Sequence, residues 1–239
     1  MSVLQTLRNV LPQWLRRPVG AALAPLRDVH AARSYSQEGE DMVLRRMFAA
    51  QPRGFYVDVG AHHPRRFSNT CHFHAQGWSG INIEPNPAAL ALFKRQRPGD
   101  INLQMGVADT AGSLTYYEFD EPALNTFDPA LVEMRTRTTP YRLVAQRTVP
   151  VEPLAAILQR HLPAGQTIDF LTIDVEGLDL AVLRSNDWSR FRPRCVLVEA
   201  LENSLESVLR GELYSFMSAH GYSLFAKTYN TLIFEARSA

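Results

Sequence analysis

Cysteine is nearly missing from this chain of 239 residues, which carries two, Cys71 and Cys195. Two thiols alone build neither a metal knuckle nor a disulfide framework, so they read as free thiols in a reducing compartment. A surplus of one charge is missing too. Lys and Arg number 25 against 24 Asp and Glu, and a formal net charge of +1 argues against an electrostatic nucleic-acid binder. No apolar run is long enough to span a bilayer, and the first residues lack the charged-then-apolar pattern and cleavage site of a secretory signal, so the expected location is the cytoplasm. No internal repeat or low-complexity tract is visible. Glycine is scarce where a dinucleotide site needs it: the loop opening at Gly60 has one, against the three that such a fingerprint sets at fixed offsets.

What is there centres on FYVDVGAHHP, residues 55–64, followed after one helix length by GWSGINIEPNP, residues 77–87. Phe55, Val57 and Val59 make a short β-rich run ending on Gly60, a residue whose backbone freedom lets a bulky ligand approach. Asp58 and Glu84 then stand at the ends of two consecutive strands, about 25 residues apart, the separation at which a strand-helix-strand unit offers an acid to a ribose. With the second and third glycines missing, a nucleoside cofactor other than NAD is indicated.

The organisation reads as an N-terminal amphipathic segment over 1–33 and one domain over 34–239. Apolar positions recur at helical spacing from Val3 to Leu15, with Arg8, Arg16 and Arg17 among them. Two readings stay open: a helix that docks on the domain or on a partner subunit, as in a homo-oligomer, and an interfacial helix that touches an anionic membrane through residues 3–17. Pro18, Gly20 and Pro25 interrupt it. A helix is predicted over 34–48, with Glu38 and Glu40 in its first turn. Strands are predicted over 55–59, 80–84, 101–107, 167–174 and 195–200, and helices over 69–76, 87–96, 153–161, 178–185 and 205–220. This alternation predicts an α/β fold with a mostly parallel, doubly wound sheet. Two last strands, 222–226 and 229–236, are expected to pair antiparallel. Between residues 112 and 150 no clear period appears, and an irregular excursion there reads as a lid or substrate loop.

In such a sheet, ligands bind in the crevice outside the strand C-termini. Asp58, Glu84, Asp109, Asp174, Glu176 and Glu199 each close or closely follow a predicted strand there. At this point the chain resembles the FkbM-type methyltransferases, which use S-adenosylmethionine. The likeness is carried by YSQEGED (35–41), FYVDVGAHHP, SNT (68–70), GWSGINIEPNP, GVADTAG (106–112) and FLTIDVEGLDLAVL (170–183), and it runs from about Tyr35 to Phe234. It implies a Rossmann-like class I methyltransferase fold with a reversed last strand. His62 stands where many relatives have Asn.

Glu84 is expected to accept both ribose hydroxyls, because a carboxylate makes two charge-assisted bonds to a vicinal diol. Asp58 and Gly60 would line the methionine end, with His62 in the same loop. Asp109 falls where the resemblance implies an acceptor for the adenine amino group; a turn cap is the alternative. Ser68, Asn69 and Thr70 either hold the cofactor carboxylate or form an ordinary helix N-cap. Asp174, Glu176 and Asp179 follow the fourth strand, beside the acceptor. An alcohol must lose its proton to a base or a metal. His63 is the preferred base, with Asp174 and Glu176 as catalytic partners and His62, His72 and His74 as other imidazoles in the same half. Asp174 with Glu199 offers oxygen ligands to Mg²⁺. Tyr116, Tyr117, Asn125, Thr126 and Tyr141, with Trp78 and Trp188, supply rings and polar groups for a sugar face, packing being the alternative. The expectation is an O-methyltransferase for a small-molecule or glycan hydroxyl, with N-methylation, a nucleotide-binding oxidoreductase and a non-catalytic binding protein as rivals.

Overall fold

The computed structural model describes residues 31–201 and 204–237. The expected amphipathic segment at 3–17 lies outside the described residues. The chain divides into two compact units, Met1–Arg33 and Ser34–Ala239, and the second carries the fold described below.

Its centre is a seven-stranded sheet in the order β3-β2-β1-β7-β8-β10-β9. The strands are β1 (Phe55–Val59), β2 (Ser79–Ile83), β3 (Ile101–Leu103), β7 (Phe170–Ile173), β8 (Cys195–Glu199), β9 (Tyr222–Lys227) and β10 (Thr231–Ala236). From β3 to β8 every neighbouring pair is parallel, whereas β10 runs antiparallel to both β8 and β9. This is the Rossmann-like arrangement with one reversed strand. Chain order reverses between β1 and β7, so their C-terminal ends open a crevice there.

The central strands are apolar on both faces because both are covered. Val57, Val59, Ile81, Ile83, Leu171, Ile173, Val196 and Val198 pack into one core with Leu154, Ile157 and Leu158 of α5 (Leu154–His161) and with Val182 and Leu183 of α6 (Asp179–Arg184). On the opposite face Tyr56, Phe170, Cys195, Leu197 and Ile233 meet Leu44 of α1 (Glu40–Met47), Phe48, Phe73 of α2 (Cys71–Ala75) and Trp78. Trp78 is thus a core ring, with its centroid 4.8 Å from that of Phe73. Trp188 packs on Tyr222 at 5.4 Å. Both rings pack in the core, the alternative reading of these residues. Both cysteines are buried and free.

Several expectations need correction. The strand expected over 101–107 is two pieces. β3 ends at Leu103, and β4 (Gly106–Val107) joins a separate three-stranded sheet, β4-β6-β5. The excursion at 112–150 is ordered. β5 (Gly112–Phe119) and β6 (Leu143–Glu152) form a long antiparallel ribbon, with Thr115 opposite Thr148. A 3₁₀ turn (Pro122–Leu124) and α4 (Pro129–Thr138) connect them. The ribbon hides its period because much of β5 and β6 is exposed on both faces. α4 did announce itself: Asp128 caps it and Pro129 takes the first helical position. The helix expected over 34–48 starts only at Glu40, because the Asp41 carboxylate accepts from Ser34 Oγ and the Tyr35 amide, holding 34–39 as a loop. The helix expected over 205–220 breaks at extended Gly211 into α7 (Leu205–Arg210) and α8 (Glu212–Ala219). No helix of the described residues is long and apolar enough to cross a membrane.

Candidate active site

The crevice at the ends of β1, β2, β7 and β8 holds a cavity. It is lined by Asp58, Gly60, His62, Asn69, Glu84, Asp174, Glu176 and Glu199, and capped by Tyr116 and residues 122–127 of the excursion. Asn125 and Thr126 thus reach the cavity, as the polar reading of the excursion expected. Tyr117 and Tyr141 are not among the lining residues.

Gly60 has φ 77°, and a Cβ there would stand 1.8 Å from the carbonyl oxygen of Asp174. The neighbouring strand end therefore requires a glycine here, and Gly60 also lines the cavity, where a ligand could approach it. Two residues on, His62 also has positive φ, at 53°. That turn aims its amide at Glu84 Oε2, 2.7 Å away, while the amide of Asn86 donates to Oε1, also at 2.7 Å. Glu84 is buried and so held by one backbone N–H on each oxygen. Burial outweighs both bonds and pushes its carboxyl up to about 7. Asn86 also caps α3 (Pro87–Gln96), accepting from Ala88 and Ala89.

Asp58 Oδ2 accepts from Thr70 Oγ1 at 2.8 Å, and burial pushes its carboxyl up to about 6. Ser68 and Thr70 are buried behind the loop; Ser68 Oγ accepts the amide of Cys71 at 3.1 Å. Neither lines the cavity, so of the Ser68-Asn69-Thr70 triplet only Asn69 does. Its amide donates to Thr172 Oγ1 at 2.9 Å. Asp109 is exposed, accepts from Thr110 Oγ1, and lies outside the lining; Met105, Gly106 and Val107 occupy the wall instead. The chain turns into the second sheet at β4, which carries Asp109 away.

Asp174, Glu176 and Glu199 form the second group of acids, with one oxygen from each lying within 4.8 Å of the others. The Asp174 side chain is open to the cavity yet walled by protein and by acids. Burial, then the charges of Glu199 and Glu176, hold its carboxyl well above the usual range. Burial and Glu176 push Glu199 up to about 8. Glu176 sits at φ 54°, pairs with Arg135 of α4, and its carbonyl accepts from Thr126 Oγ1 at 2.9 Å. Arg135 also donates to the carbonyl of Leu124 at 2.6 Å, so α4 ties the cap to this strand end. Asp179 accepts from the amides of Val175 and Gly177, which makes it the fastener of the loop.

The histidines divide. His62 lines the cavity, and burial lowers its imidazole to about 4, leaving it neutral with a buried Nε2 that no described group bonds. His63 does not line it. Its Nδ1 accepts from the amides of Arg65 and Arg66, both at 3.0 Å, so that nitrogen is already engaged. His74 contacts buried Tyr56, away from the cavity.

Residues 58–224 match the Methyltransferase FkbM domain. The chain belongs to that family. It is therefore a methyltransferase that uses S-adenosylmethionine, as the resemblance implied. Among solved structures, this FkbM methyltransferase is similar to a TehB-like SAM-dependent methyltransferase from Corynebacterium glutamicum. The two share 12% identity over 92% of this chain and 96% of that one, with a TM-score of 0.38. It is also similar to an O-methyltransferase from Bacillus cereus in complex with SAH, at 12% identity over 96% of this chain and 94% of that one, with a TM-score of 0.38. Likenesses this distant carry no weight for the site. No curated protein matches the chain. Reading the sequence missed Gln37, Met105 and Val107 on the cavity wall, and Arg135 behind it. Gln37 and Val107 lie inside segments that carried the resemblance.

Proposed function

We propose that the protein methylates a hydroxyl of an uncharged, polyhydroxylated acceptor, with a sugar of a glycolipid, polysaccharide or glycosylated natural product as the leading case. One observation carries this reading: five carboxylates from four strand ends line the cavity with no lysine or arginine. A phosphate or carboxylate near the reacting hydroxyl would meet this excess of acids and find no cation on the cavity wall to pair with.

The residues suit S-adenosylmethionine. Glu84, pinned by two amides, faces the ribose hydroxyls; Asp58 faces the ammonium group; Met105, Val107 and Ala89 give the adenine an apolar wall. The cofactor supplies an electrophilic methyl on a positively charged sulfur. Of Asp174 and Glu199, whichever is ionised would serve as the proton acceptor: burial and neighbouring acids raise its affinity for a proton, and an alcohol gives one up only to a positioned base. Glu176, held by Arg135, shapes the strand end. The same oxygen donors also suit Mg²⁺, which Asp174 and Glu199 would hold and which would acidify a bound hydroxyl. The acids favour a second acceptor class as well, an amine, which would bind as its ammonium and give a proton to an ionised carboxylate before it attacks the methyl group.

Incubating the protein with labelled S-adenosylmethionine and neutral sugars, amines or sugar phosphates, with and without a chelator, tests this. Transfer to neutral sugars that persists in chelator supports the carboxylate pair and rules out the ion. Transfer to amines alone replaces the hydroxyl reading, and transfer to sugar phosphates alone overturns it.

A further inference from the structure

In sequence, Arg97 looks like one of several solvated basic residues in KRQRP at the end of α3. In the structure it is 1% exposed and the bulkiest of the fully buried side chains. A buried guanidinium is costly unless it is paired and fully bonded. Among the described residues no carboxylate touches this one. Nη1 donates to Thr70 Oγ1 at 2.7 Å, and Nη2 donates to Ser68 Oγ at 3.1 Å and to the carbonyl of Pro64. All three partners belong to the loop that follows β1.

The hydroxyls make a one-way relay. Thr70 Oγ1 receives the Arg97 proton and gives its own to Asp58 Oδ2, 2.8 Å away. Ser68 Oγ, 3.2 Å from Thr70 Oγ1, is therefore the donor of that pair. The other charges that act on Asp58 among the described residues are of its own sign: Asp100 beyond α3, Glu84 at the end of β2, and Asp174 after β7. Arg97 is the cation that opposes them and the loss of solvent. With Oδ2 occupied by Thr70, Oδ1 is left for a ligand in the cavity.

We propose that Arg97 is a positioning residue for the cofactor: through Thr70 it orients Asp58 and keeps it charged, and through Pro64 and Ser68 it holds the cofactor loop in place. The inference rests on the reading of Asp58 as the partner of the cofactor's ammonium group. It gives a buried cation outside the cavity a part in binding that its neighbours' packing alone does not require.

The test is calorimetric titration with S-adenosylhomocysteine across pH 5 to 9 for the wild type, R97M, R97K, T70V, D58N and the D58N/T70V double variant. R97M and T70V are expected to weaken binding about tenfold at neutral pH and to move the acid side of the affinity profile upward by about one pH unit, R97M by removing a nearby opposite charge and T70V by removing a hydrogen bond to the charged form. R97K keeps the charge and loses the fork, so it is expected to weaken binding while leaving the acid side in place. In the D58N background, T70V should add no further shift. A folded R97M with the wild-type affinity and profile overturns the proposal. If R97M does not fold, T70V decides in the same way. Wild-type binding by D58N would instead overturn the reading of Asp58 beneath it.

Discussion

The two ends of the cavity hold their acids in opposite ways. On the β1–β2 side, Asp58 and Glu84 are tied to neutral donors, the Thr70 hydroxyl and the amides of His62 and Asn86. On the β7–β8 side, Asp174, Glu176 and Glu199 confront one another, and a bridging cation, Arg135, goes to Glu176. Directed neutral donors fix where a carboxylate points, which is what recognition of a diol or an ammonium demands. Mutual repulsion in a walled site raises proton affinity, which is what a base needs to work near neutral pH. On the proposed reading, one half of the cavity would orient the cofactor and the other would take up the proton.

The largest effect should come from separating those roles. E199Q and D174N remove the shared charge, and kcat is expected to fall by about 10² to 10⁴, the range that a positioned base contributes, while S-adenosylhomocysteine affinity stays near wild type. E84Q should do the reverse and weaken that affinity by about 100-fold through lost charge-assisted bonds. Calorimetry beside steady-state kinetics reads both. If E199Q lost affinity in step with turnover, the division between the two ends would be false.

Next in size is a pH effect on stability. Glu84 near 7 and Glu199 near 8 have folded-state values above those of an unfolded chain. The folded protein therefore binds more protons than the unfolded one above the ordinary carboxylate range, and stability falls as pH rises through the folded values. His62, lowered to about 4, works in the opposite direction below the ordinary imidazole value of about 6.5. The clean window is thus about pH 6.5 to 8, where the melting temperature of the ligand-free protein should decline. E199Q should flatten that decline more than E84Q, because the higher value keeps its proton deeper into the window. Equal flattening would blur the contrast between the ends, and a rising melting temperature would break it.

How far the sequence carried this reading follows the same physics. Strand ends are legible because β1, β2, β7 and β8 are apolar on both faces and stop on acids, so Asp58, Glu84, Asp174 and Glu199 could be placed in one crevice. Asp109 could not, since nothing local says that the chain leaves the main sheet after Leu103 and that β4 pairs with β6. The ribbon of β5 and β6 escaped because strands exposed on both faces lose their alternation. Arg97 and Arg135 escaped for a different reason: their partners are 27 to 33 and 11 to 41 residues away, and a basic residue near a helix end reads as solvated until the fold encloses it.

The smallest expected effect concerns His63. By sequence it is the preferred base, being an imidazole in the cofactor loop. In the structure its Nδ1 receives two amides of its own turn, and the residue is not on the cavity wall. An asparagine carbonyl at the same place accepts such turn amides well. H63N should therefore keep turnover within about twofold and keep the melting temperature. H63A, which leaves two turn amides to solvent, should cost about 1 kcal/mol, or about 2–4 °C in a chain of this size, again without loss of turnover. A large fall in kcat for H63N, with S-adenosylhomocysteine affinity and melting temperature intact, would return the imidazole to the chemistry. The base would then sit on the β1–β2 side, in the half of the cavity whose acids are built for orientation.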